Sequence, residues 1–112
     1  MKIHYYESSS GKNLIYKYIE KLSLKEQVDG YTVLEYLEND EWDKVQYKQW
    51  HKKVFEVYFY KHNRIFYVIS NGEDLYCLHA CRKQKNKTEE KDKTIVMNRA
   101  KELGKLLGIQ FV

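Results

Sequence analysis

Three strand-like runs follow one another between Val54 and Cys81 with only tight turns between them, and this succession narrows the possible folds more than any other feature of the chain. Val54 to Tyr60 alternates, so that Phe55, Val57 and Phe59 face one way while Glu56, Tyr58 and Tyr60 face the other. Lys61-His62-Asn63 forms a turn into a second run, Arg64 to Ile69. Ser70-Asn71-Gly72 then carries the Asn-Gly hairpin signal ahead of a third run, Leu75 to Cys81. Consecutive hairpins make an antiparallel meander, which argues against a doubly wound nucleotide fold. No G-x-G-x-x-G, P-loop or nucleophile elbow is present.

Helical periodicity flanks the meander. Ile3 to Tyr6 is a short β-prone run, closed by Ser8-Ser9-Ser10-Gly11. Asn13 is placed to cap a helix whose apolar positions are Leu14, Ile15, Tyr18, Ile19 and Leu22. Ser23 with Glu26 three residues later is a capping box for a second helix, with Val28, Tyr31, Leu34 and Leu37 as its stripe. Gly30 weakens that helix by about 1 kcal/mol relative to alanine. The acidic stretch from Glu38 to Asp43 leads into a loop. Thr88 is the expected cap of a final helix that Gly104 would end, before an apolar tail from Leu106 to Val112. The order β-α-α-β-β-β-α predicts an α+β fold: a helix hairpin packed on one face of a twisted, mainly antiparallel sheet, in a single domain over residues 1–112.

Charge and cysteine narrow the chemistry. Lys and Arg number 20 against 16 acids, and the excess is uneven. Between Lys44 and Arg64 six basic residues face only Glu56, and residues 82–87 add four more cations, which suits a polyanionic partner. No apolar run approaches the roughly 18 residues of a membrane span, and the N-terminus lacks a secretory pattern, so no membrane partner and a cytoplasmic location are expected. Cys77 and Cys81 on one strand would lie about 13 Å apart, beyond disulfide reach. Cys77, His79 and Cys81 would share one strand face, an arrangement that does not enclose a metal tetrahedrally. Neither a metal nor another cofactor is expected.

Three stretches carry a family resemblance. Tyr6 to Asn13 followed by Ile15 to Ile19 looks like a strand, an acidic-polar turn and a "V-x-E-F-L" helix. Val54-Phe55-Glu56-Val57 through Arg64-Ile65-Phe66-Tyr67 is similar to an "L-Y-E-L-R … Y-R-I-x-Y" double strand. Leu78 to Thr88 resembles "L-H-x-F-x-K-K-T-Q-K-T-P", ahead of a helix with Ala100 in the expected place. In this order the chain resembles the RelE/HigB superfamily of bacterial toxins, particularly its phage-derived HigB-like branch. The resemblance implies a RelE-like fold and an endoribonuclease, or mRNA interferase, that cuts mRNA on the ribosome. It also implies a cognate helix-turn-helix antitoxin protein that neutralises the toxin by direct binding.

The residues make chemical sense of that expectation. RNA is cut without a metal when its own 2′-OH attacks the phosphate, which requires a proton acceptor, cations on the developing phosphorane and a donor for the 5′ oxygen. Arg64 matches the family's second-strand arginine, Glu56 its glutamate, and Lys83 and Lys87 the Lys-rich run; with Arg82 these are the expected catalytic residues. Lys85, Lys52, Lys53, Lys61, Tyr58, Tyr67 and His79 are the expected RNA contacts, the aromatic rings by stacking. Each also has a plain structural reading, as a solvated charge, an ion pair or a core ring. His79 has an unperturbed pKa near neutrality, suited to acid–base work.

Departures from the motif open alternatives. Tyr58 stands where the family has an arginine, Cys81 where it has phenylalanine, and Glu89 where proline is common. Loss of one phosphate-directed donor costs about 3 kcal/mol of transition-state stabilisation. A weakly active or non-catalytic RelE-fold module held by an antitoxin, a ParE-type gyrase poison and an unrelated nucleic-acid-binding domain stand beside the nuclease reading.

Overall fold

The computed structural model describes residues 1–82 and 88–112. Its elements are β1 (Lys2–Tyr5), α1 (Leu14–Glu20), α2 (Leu24–Glu38), a 3₁₀ turn (Trp42–Lys44), β2 (Gln46–His51), β3 (Val54–Phe59), β4 (Asn63–Ser70), β5 (Asp74–Arg82) and α3 (Glu90–Leu107). The fold is α+β, with one five-stranded sheet in the order β1-β5-β4-β3-β2. All neighbours are antiparallel except β1, which joins β5 in parallel.

The expected meander forms as read, and its turn chemistry explains why. Asn71 and Gly72 both take positive φ, 56° and 69°, as a primed hairpin turn requires. The caps of the helix hairpin also follow the sequence. Asn13 accepts from the backbone N–H groups of Ile15 and Tyr16, and Ser23 accepts from that of Glu26. Ile15, Ile19, Val33, Leu34 and Leu37 of α1 and α2 then bury against Val57, Phe59, Ile65, Tyr67, Leu75 and Cys77 on one sheet face. Gly30 lies against the Phe59 ring, where an added Cβ would come within 2.9 Å of Cε2. Its helical cost is thus offset by close approach to the sheet.

Four expectations need correction. First, an additional strand, β2, precedes the three that were read. Gln-Tyr-Lys-Gln-Trp-His carries no apolar alternation, and it pairs as an edge strand exposed along most of its length. Second, helices do not pack on one sheet face alone. Val96 and Ala100 of α3, with Phe111 from the tail, bury against Val54, Phe66, Val68, Leu78 and Cys81, so helices cover both faces. Third, α3 starts at Glu90 with Glu89 rather than Thr88 in the capping position, and it runs through Gly104 to end at Gly108, whose φ is 70°. Fourth, the pairing of β4 with β5 shifts register between Phe66 and Tyr67. This bulge at Leu78 sends Cys77 toward the helix hairpin and leaves His79 and Cys81 facing α3, so the three do not share a face.

Gly104 has a different role from the one read for it. An added Cβ would lie 2.4 Å from the backbone oxygen of Ile109, where the tail folds back beneath the helix. Gly104→Ala is expected to lower stability by about 1–3 kcal/mol despite alanine's better helix propensity, and urea denaturation will measure it.

Candidate functional site

The α3 face of the sheet holds a buried polar cluster that strand geometry builds directly. In the antiparallel register Tyr58 lies opposite Arg64, and Lys48 opposite Glu56. Positions two apart on β3 share a face, so Glu56, Tyr58, Arg64 and Lys48 project together. Glu56 and Arg64 are each 1% exposed. The Arg64 guanidinium donates from Nη1 to Glu56 Oε2 at 2.8 Å and to the Thr88 hydroxyl at 2.7 Å. Tyr58 donates its hydroxyl to Glu56 Oε1, and Lys48 Nζ lies 3.7 Å from the same oxygen. The guanidinium carbon sits 5.7 Å from the centre of the Tyr58 ring and 5.6 Å from that of Phe66. Burial and the adjacent Glu56 push the Tyr58 phenol above its ordinary pKa, so it is a donor at neutral pH.

Arg64 retains unused capacity. Its Nε and Nη2 are buried and have no hydrogen-bond partner among the described residues. A guanidinium carries five N–H donors and recognises oxyanions through paired ones, so an incompletely satisfied buried arginine is equipped for a phosphate oxygen.

Beside this pair, His79 Nε2 and Asp92 Oδ1 are 2.8 Å apart. Burial holds the His79 imidazole below its ordinary pKa, outweighing the opposing pull of Asp92. At neutral pH the pair is therefore a neutral imidazole donating to a carboxylate. The Cys81 thiol is pushed up to about 12, chiefly by burial.

The other expected residues are distributed differently. Arg82 does not join Arg64. It lies opposite Asn63, one position out of phase, so it projects toward the helix hairpin and its Nη2 donates to Glu26 Oε2 at 2.8 Å. Asn63 donates to the same oxygen and accepts from the Tyr18 hydroxyl, which makes this group a tie between α1, α2 and the sheet. Those contacts hold the Glu26 carboxyl below its usual pKa, Asn63 contributing most. Tyr67 is 1% exposed within the hairpin-face core and is not presented for stacking. Lys52 and Lys53 are exposed at the β2–β3 turn, and Lys61 is exposed at the β3–β4 turn beside the Tyr60 ring. Lys83, Lys85 and Lys87 lie outside the described residues.

Sequence reasoning missed Lys48, Thr88 as an arginine partner, and Asp92. Lys48 required the register of a strand with no apolar signature, and Asp92 required knowing which sheet face α3 covers.

Comparison with known proteins bears on this architecture. No curated protein matches the chain. Residues 17–101 match the family model described as phage-derived protein Gp49-like (DUF891), a span that runs from the second half of α1 through α2 and β2 to β5 and takes in most of α3. The chain therefore belongs to the phage-derived Gp49-like family, within the RelE/toxin-like group of toxin–antitoxin proteins.

Proposed function

We propose that this protein is the toxin of a toxin–antitoxin system, of the HigB-like branch, and that it acts in the cytoplasm as a ribosome-dependent mRNA endoribonuclease. Family membership supports the toxin reading. The observation that carries the chemistry is Arg64, a buried guanidinium whose Nε and Nη2 have no partner among the described residues; it lies on β4 opposite Cys81, near the end of β5 that leads into residues 83–87. In the proposed reaction the 2′-OH attacks the neighbouring phosphorus, the P–O5′ bond breaks, and a 2′,3′-cyclic phosphate and a 5′-hydroxyl end result. Arg64 neutralises the developing phosphorane charge, Lys83 and Lys87 add cations, and Glu56 orients Arg64 or accepts the 2′ proton. No step uses a metal. A helix-turn-helix antitoxin protein is the expected partner in the resting cell.

Induced expression is expected to arrest growth, and primer extension on cellular mRNA is expected to show new 5′ ends within translated codons. Absence of such ends while growth still stops would sink the nuclease reading.

One observation favours a second reading. Arg64 and Glu56 neutralise one another below the surface, and Arg82 is engaged by Glu26. A non-catalytic module bound by the antitoxin fits that state, and intact antitoxin binding without any mRNA cleavage in a translation extract would establish it.

A further inference from the structure

His79, Cys81 and Asp92 place one nitrogen, one sulfur and one carboxylate oxygen within 4.8 Å of one another, between β5 and the first turns of α3. We infer that these three side chains form a zinc site fastening α3 to the sheet. The proposal goes beyond the nuclease reading and does not depend on it.

The site is built by three separate features. The β5 bulge turns His79 and Cys81 toward α3 while Cys77 goes to the other face. Asp92, in the first turn of α3, reaches back to the sheet and is only 7% exposed, and no Lys or Arg among the described residues forms an ion pair with it. Among the described residues its side-chain hydrogen-bond partner is His79, whose Nε2 lies 2.8 Å from Asp92 Oδ1.

Charge and softness select the ion. Binding releases the Cys81 thiol proton to solvent with the electron pair kept on sulfur, and the resulting thiolate and the Asp92 carboxylate together neutralise a dication, so the occupied site carries no net buried charge. Magnesium and calcium require oxygen donors throughout, whereas a mixed sulfur, nitrogen and oxygen set suits zinc. Ligand atoms around tetrahedral zinc sit roughly 3.5 Å apart, so closure changes the separations by about 1.3 Å at most. Three protein ligands leave the fourth position to water. His79 would bind through Nε2, exchanging its bond to Asp92 for the metal while both remain neighbours.

The test uses the full chain, reduced and treated with chelator, and titrated with cobalt(II) as a spectroscopic stand-in for zinc. The expected result is a thiolate-to-cobalt charge-transfer band that saturates at one equivalent and disappears on adding zinc. Cys81→Ser should abolish the band, and Asp92→Asn should weaken binding at least about tenfold. Zinc should raise the melting temperature of the wild type and leave that of Cys81→Ser unchanged. Circular dichroism verifies folding, and His79→Gln replaces Cys81→Ser if the latter does not fold. A folded wild type without the band overturns the proposal, as does a band that persists in folded Cys81→Ser or His79→Gln. Because every readout is metal binding or melting, these outcomes are independent of whether the protein cuts RNA.

Discussion

Glu56→Ala is expected to destabilise the protein by about 3–5 kcal/mol, the largest single effect anticipated away from the central apolar core. The reason lies in what remains. Arg64 is 1% exposed and always protonated, and its carboxylate partner is Glu56 at 2.8 Å. Removing Glu56 leaves a desolvated cation with Thr88 as its remaining hydrogen-bond acceptor among the described residues, and Tyr58 and Lys48 lose their shared acceptor oxygen as well. A drop in melting temperature of about 10 °C or more should follow. The double variant Glu56→Gln/Arg64→Met removes both charges while roughly keeping volume, and it should recover most of that loss, since a buried ion pair is worth little relative to an uncharged replacement. If Glu56→Ala melts with the wild type, the pair does not hold this part of the sheet together.

The same double variant separates structure from chemistry. It should fold, and under the proposed mechanism it should cleave mRNA at least about 10²–10³-fold more slowly, because the principal cation at the phosphorane and the carboxylate that orients it or accepts the 2′ proton are both gone. Primer extension after matched induction reads this, with antitoxin binding as the control for integrity. Wild-type cleavage by the double variant would make Arg64 and Glu56 purely structural residues. Arg64→Ala alone is a poorer test, since it strands the Glu56 carboxylate and confounds lost activity with lost folding.

How the candidate site was read, and where the reading stopped, follows from the range of the interactions. Glu56 and Arg64 were legible as same-face neighbours because β alternation and a short hairpin fix their relation locally. Arg82 was expected beside them and lies on the opposite face, because its neighbours depend on register, and a single position inverts a strand residue's direction. Cys77 parted from His79 and Cys81 for a related reason: the bulge at Leu78 leaves no mark in hydropathy. Thr88 was read as a helix cap and instead accepts from Arg64, since a helix start shifts by a residue or two when a buried donor competes for the hydroxyl.

Local chemistry in the chain alone determined the two hairpins, the Asn13 and Ser23 caps, the α+β class and the resemblance that pointed to a toxin family, since each rests on residues within a few positions of one another. The tertiary structure decided which sheet face α3 covers, that β2 pairs at the edge, that Arg82 serves the helix hairpin, and that Asp92 meets His79 and Cys81. These are contacts between segments far apart in the chain, set by burial of α3's apolar side and by strand register, and neither quantity is written in any short stretch of residues.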